Sequence, residues 1–379
     1  MTAAPALLDT PAALIDEHKL SANIARMQSR MNALGVAFRP HVKTAKCVEV
    51  ARRQREAGAR GITVSTLKEA QAFFEAGFDD VLYAVGVIAT RLPQVQALRE
   101  HGCGLKITVD SLEAAQSVVA HGQAHGHRFE VLIEVDTDGH RAGVLPDSSA
   151  LLEIGQALHA GGAVLAGVMT HAGASYNLYS EAELVAFAEQ ERSGCVQAAQ
   201  RLREAGLPCA IVSVGSTPTA LSATHLQGVT EVRAGVYVFQ DLVMAGVGVC
   251  QPEDIALSVL GTVIGHQCDK GWILTDAGWM ALSRDRGTQS QPVDRKYGLV
   301  CDEHGRLLPE LIVSAANQEH GIVSRVDGAA DATLRERFPL GSRLRVLPNH
   351  ACATGAQFDR YHLLRDDGGL AVWPRFGGW

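Results

Sequence analysis

The 379-residue chain has no uninterrupted apolar run of membrane-spanning length, no C-x-x-C pair, and no G-x-G-x-x-G after an early strand-like segment. The first absence leaves no transmembrane helix to place. The third argues against a doubly wound dinucleotide fold. Basic residues do not outnumber acidic ones: 34 Lys and Arg against 41 Asp and Glu give a formal net charge of -7. A nucleic-acid partner would need a basic face to displace phosphate counterions, so none is expected. The opening MTAAPALLDTPAALIDEHKL lacks a basic n-region and carries Asp9 and Asp16 through its apolar stretch, which is unlike a signal peptide. A cytoplasmic address and no membrane partner are therefore expected. Eight cysteines are scattered singly, at 47, 103, 195, 209, 250, 268, 301 and 352, which argues against a disulfide framework.

What is present is an ordinary globular balance, 47% apolar and 20% charged, in a chain long enough for a large core. From about residue 12 to 249 one cadence repeats: a short β-branched run, a loop, then an Ala/Leu/Gln/Glu-rich amphipathic stretch. Gly61–Val64, Val81–Ala84, Leu105–Val109, Val131–Val135, Val164–Met169 and Ile211–Val214 are the strand-like runs. Strands alternating with helices need crossovers and so a parallel sheet, and the number of units favours an α/β fold of the closed (β/α)8 TIM-barrel type. From residue 250 the pattern changes to strand-like segments and turns, predicting a mainly β domain over 250–379, with 1–11 assigned to it as well.

In a parallel barrel, chemistry belongs at the C-terminal strand ends. Lys43 follows the apolar Val36–Phe38 and is crowded by Arg39, His41 and Lys46, which favours its free amine, as a Schiff-base lysine requires. On its own the segment reads equally as a solvated basic loop. Asp136 to Gly143 follows another strand and offers Arg141 as an anion donor. His171, in Thr170-His171-Ala172-Gly173, suits a planar ring as well as it suits a hydrogen-bonded core. Gly215-Ser216-Thr217 and Gly235-Val236-Tyr237 come after the late strands, where barrel phosphate sites often form. In the β domain, Asn349-His350-Ala351-Cys352 would place His350 and Cys352 on one face if it were a strand end, an imidazole and a thiolate for a divalent metal with open positions left over.

Taken in order, Asp9-Thr10-Pro11, Pro40-His41-Val42-Lys43-Thr44, Asp136 to Gly143, the Gly-Ser-Thr loop, Arg233 to Tyr237, Asn317 to Gly321 and the H-x-C resemble the alanine-racemase-like pyridoxal-phosphate enzymes of the D-threonine aldolase and D-serine dehydratase family. The resemblance spans nearly the whole chain. It implies pyridoxal 5'-phosphate on Lys43, Arg141 at the cofactor's phenolic oxygen, and His171 near its pyridine ring. It also implies phosphate contacts from Gly215, Ser216, Thr217, Gly235 and Tyr237, and a divalent metal on His350 and Cys352, zinc first, with manganese, magnesium or cobalt as alternatives.

Aldolase members of the family typically show H-x-D where this chain has Cys352, so the resemblance favours a dehydratase. The implied reaction is elimination of water from a D-3-hydroxy amino acid: D-threo-3-hydroxyaspartate to oxaloacetate and ammonia first, D-serine to pyruvate second. A D-threonine-type aldolase is the alternative, and a non-catalytic pyridoxal-phosphate carrier a remote one. The family allows a homodimer and equally a site complete within one chain.

Overall fold

Each β-branched run of the first two thirds becomes a strand in the computed structural model, which describes residues 8–379. The opening strand is the exception to the expected grouping. The barrel was expected to begin at residue 12, yet β1 (Ala12–Asp16) belongs to the other sheet, pairing antiparallel through Ala12↔Leu260 on one side and parallel through Leu14↔His362 on the other. Both of its edges and nearly all its side chains are buried there.

The parallel sheet contains β2 (Ala37–Phe38), β3 (Ile62–Val64), β4 (Asp80–Gly86), β5 (Gly104–Val109), β6 (Glu130–Glu134), β7 (Val164–Met169), β8 (Ile211–Val214) and β9 (Glu231–Val232). Their order is β2-β9-β8-β7-β6-β5-β4-β3. The two ends of that order meet at a bridge between His41 and Thr63, where Val42 N–H donates to the Thr63 carbonyl at 2.9 Å and Thr63 N–H to the Pro40 carbonyl at 2.8 Å. The sheet therefore closes, as expected of a TIM-type barrel, and it closes two residues before Lys43.

Helix starts are capped by the sequence itself: Ser111, Ser180 and Ser216 accept hydrogen bonds from the backbone three residues on. Around the strand starts runs an ionic chain. Arg39, nearly buried, is bidentate to Asp80 and meets Glu231 at 2.9 Å. Lys106 joins Asp80 at 2.9 Å, and Ser213 donates to Glu231 at 2.8 Å.

After residue 250 come β10 (Leu257–Gln267), β11 (Trp272–Thr275), β12 (Leu299–Asp302), β13 (Leu307–Ala316), β14 (Gly321–Arg325), β15 (Arg343–Leu347), β16 (Arg360–Leu364) and β17 (Leu370–Pro374). With β1 they make a nine-stranded sheet, β11-β14-β13-β12-β15-β10-β1-β16-β17. Val259, Val263, Ile273, Val300, Leu311, Val323, Leu344 and Val346 form its main core. By contact, the described residues fall into one unit of 25–43 and 50–235 and another of 8–24, 44–49 and 236–378. Residues 236–249, expected in the barrel, group with the β-rich unit, as does 12–24.

Candidate active site

Lys43 leaves β2 through Arg39-Pro40-His41-Val42, a stretch fixed by His41 N–H to the Ala234 carbonyl at 2.9 Å and by the closing bridge to Thr63. The Lys43 ammonium lies close enough to act electrostatically on two rings, His41 and His171. Burial, then Lys43 and Arg233, hold His41 well below its ordinary value. Burial, then Lys43, with Arg141 and Arg233, bring His171 down to about 3. Its Nδ1 lies 2.9 Å from the Gly215 carbonyl. A neutral ring must donate from that nitrogen, which leaves Nε2 with its lone pair.

Arg141 is half exposed and stands 3.6 Å from Glu134, the last residue of β6. Burial pushes the Glu134 carboxyl up, against the pull of Arg141. Lys43, Arg141 and His171 are thus gathered at the C-terminal strand ends, as expected.

The phosphate loop differs from the simple expectation. Gly215 has φ +137°, and a Cβ there would strike the Arg233 carbonyl, so this turn requires glycine. Its N–H, however, donates to Glu191 Oε1 at 2.8 Å, and Ser216 N–H donates to Thr219 Oγ1 at 3.1 Å. Ser216 Oγ caps Thr219 N–H and meets Ser175 Oγ. Two backbone donors expected at the phosphate are therefore committed within the chain, and Thr217 follows as the first residue of the next helix. Gly235 closes its unit, while Tyr237 is fully buried in the other.

In the β-rich unit, the segment carrying His350 and Cys352, expected as a strand or strand end, follows a strand end and turns into a short helix. β15 stops at Leu347, His350 is the N-cap residue, and Cys352 lies in the short helix Ala351–Gly355. Asp241 makes the turn: its carboxylate accepts from Ala351 N–H and Met244 N–H, both at 2.9 Å, while Leu242 and Val243 N–H donate to Pro348 and Asn349.

His350 and Cys352 still meet side chain to side chain, although the strand argument for it fails. Asp285 Oδ2 lies 2.6 Å from His350 Nδ1. Burial works against the charged ring, yet Asp285, Cys352 and Asp241 together push it up to about 11. Cys352 Sγ sits 3.3 Å from the Thr44 hydroxyl. A metal would take Nε2 and the thiolate, with Asp285 fixing ring and tautomer. Among the described residues no three His, Cys, Asp or Glu side chains gather into a group that could hold a metal ion.

The alanine racemase N-terminal domain model matches residues 15–242, and the serine dehydratase domain model matches 256–364. This chain belongs to the alanine-racemase-like family. It is an enzyme of that pyridoxal-phosphate-dependent family, a lyase in its dehydratase branch. It is 63% identical over 373 residues, 98% of each chain, to D-threo-3-hydroxyaspartate dehydratase of Delftia sp. (strain HT23). It is 29% identical, over 97% of its own length and 92% of the other's, to D-threonine aldolase of Arthrobacter sp.. A solved metal-free form of the Delftia-type enzyme, with a cysteine replaced by alanine, superposes with a TM-score of 0.98 over 99% of each chain at 62% identity.

Glu134, Glu191, Asp241 and Asp285 escape the sequence reading. Each is joined to its partner by the fold, and no spacing rule in the sequence marks them.

Proposed function

We propose that this protein eliminates water from D-threo-3-hydroxyaspartate, releasing oxaloacetate and ammonia, with Lys43 carrying the cofactor and His350 and Cys352 carrying a divalent metal, zinc first. The observation that carries the reading is the imidazole and thiol brought together by the Asp241 turn, in a chain closely similar to a dehydratase of that substrate.

The residues present fit both groups: an amine beside two unprotonated rings and an arginine, and a borderline-soft donor pair with a carboxylate behind the histidine. Pyridoxal phosphate supplies an electron sink for the charge left at Cα, and the metal a Lewis acid for the departing β-hydroxyl.

Lys43 in its free-amine form removes the Cα proton. His171 stays neutral and keeps its Nδ1 proton on Gly215, so it adds no positive charge that would compete with Lys43 for a carboxylate. Arg141, paired with Glu134 at 3.6 Å, would donate to the phenolic oxygen of bound pyridoxal phosphate. Asp285 orients His350, and Cys352 as a thiolate gives the softer ligand that distinguishes elimination from aldol cleavage.

The eight free cysteines and acid pI of about 6.1 support a cytoplasmic enzyme. No helix of the described residues is long and apolar enough to cross a membrane. The partner is a small D-3-hydroxy amino acid, not nucleic acid, and a homodimer is the assembly that sedimentation should look for. Borohydride reduction followed by peptide mapping should label Lys43. A label on Lys46 or Lys68, or none, contradicts the cofactor assignment.

A further inference from the structure

Glu191 is a carboxylate in the middle of the long helix Glu181–Glu204, 3% exposed, on a face that otherwise buries Leu184, Ala188, Cys195, Ala198 and Ala199. A charged side chain at such a position is costly unless its oxygens are hydrogen-bonded. They are. Its Oε1 accepts from Ala172 N–H at 3.1 Å and from Gly215 N–H at 2.8 Å. Burial raises the carboxyl's pKa, and the nearby Thr219 hydroxyl, the two amides and Arg233 work against that rise.

Those two amides belong to different barrel loops. Ala172 follows His171 after β7, and Gly215 follows β8. The Gly215 carbonyl is the group that receives His171 Nδ1. One carboxylate oxygen therefore holds both ends of the His171–Gly215 contact.

Arg233 reinforces the arrangement from the next strand. Its guanidinium donates to the Thr170 carbonyl, just before His171, and its positive charge lies near Glu191.

We infer that Glu191 is a positioning residue for the cofactor: by clasping the amides of Ala172 and Gly215 it sets the His171 ring and the Gly215-Ser216 turn in register. This rests on the reading that pyridoxal phosphate is held by Lys43 and these loops. Glu191 touches no reacting atom in that scheme. It acts through length and acceptor geometry, because a single oxygen must reach two N–H groups on separate loops.

The geometry separates two variants. Glu191→Gln keeps the length, and its amide oxygen still accepts both N–H groups while its amino group turns to the Thr219 hydroxyl. Glu191→Asp keeps the charge but is one methylene too short to reach both.

The test is titration of apo-protein with pyridoxal phosphate, read by absorbance, alongside melting of the apo-proteins. Glu191→Gln should bind the cofactor within about threefold of wild type, with the same band. Glu191→Asp should bind about tenfold or more weakly, since hydrogen bonds to a charged group are lost, with a displaced band. Equal binding by wild type and Glu191→Asp overturns the inference. So does a Glu191→Gln variant as impaired as Glu191→Asp, because reach and acceptor geometry, which glutamine keeps, would then not be enough to set the loops. If wild type itself takes up no pyridoxal phosphate on Lys43, it is the functional reading that fails, and the two outcomes are distinct.

Discussion

Replacing Arg39 by Met tests the physics that holds the Lys43 strand. Arg39 is 6% exposed in its side chain, Glu231 10% and Asp80 42%. Burial opposes the charged guanidinium, but Glu231 and Asp80 outweigh it and raise Arg39, and Arg39 with Lys106 holds Asp80 low against its own burial. Removing one partner of a buried pair costs roughly 3–5 kcal/mol, because the other charge is left behind. Asp80 keeps Lys106 and is partly solvated, so its share is small. Glu231 keeps the Ser213 hydroxyl and the nearby positive charge of Arg233, but no direct cationic hydrogen-bond partner among the described residues. The expected loss is therefore about 3 kcal/mol at pH 7, the low end of that range.

Acidification supplies a sign. In wild type the depressed Asp80 contributes stability above its unfolded pKa and loses it only as pH falls through its lower folded value, below about pH 4. In Arg39→Met, Asp80 loses the partner that holds it low, so less of its stability is left to lose on acidification. The deficit should thus hold steady between pH 7 and pH 5 and shrink as pH falls below about 4. Far-UV circular dichroism in urea is the assay, since it follows the helices, whereas the four tryptophans (272, 279, 373 and 379) all lie beyond the barrel strands. A loss under about 1 kcal/mol, or one that grows toward pH 5, refutes the argument.

Other expectations concern the site. Cys352→Ala should abolish turnover and weaken metal binding while leaving the cofactor band intact; retained dehydratase activity in metal-free protein contradicts this. Gly215→Ala should cost about 1–3 kcal/mol from the strained φ alone and weaken pyridoxal phosphate binding further through the Arg233 clash, read by melting and by cofactor titration. Because His171 is neutral above about pH 3, the kcat/KM profile should show no limb between pH 5 and 8 that disappears in His171→Gln. Finding such a limb would mean that the ring ionises in the working range.

The barrel was legible because strands such as Val131–Val135 and Val164–Met169 are buried, β-branched runs with no rival reading, and helices between them carry their own serine caps. β9 was missed because its two residues, Glu231 and Val232, carry no periodicity. β13 is hard to read from sequence because it carries Pro309, which demotes a strand. The structure accommodates that proline where the register to β12 shifts between Leu299↔Ile312 and Cys301↔Leu307. β1 was misassigned because an apolar run states that it is buried, not which sheet it joins.

At the site, the motif residues could be named, since each follows a strand end. Their partners could not. Asp285 and His350 are 65 positions apart, and Glu191 reaches Gly215 from another element. The side chains of His350 and Cys352 do come together, but for another geometric reason, because Asp241 folds the segment into a helix start where the alternation of a strand was expected.

Product analysis of D-threo-3-hydroxyaspartate turned over by the holoenzyme with zinc present bears most directly on the claim of elimination. The expected result is one ammonia and one oxaloacetate per substrate consumed, abolished by chelation while the cofactor stays bound. Stoichiometric glycine and glyoxylate would place the chemistry at the Cα–Cβ bond and contradict the account.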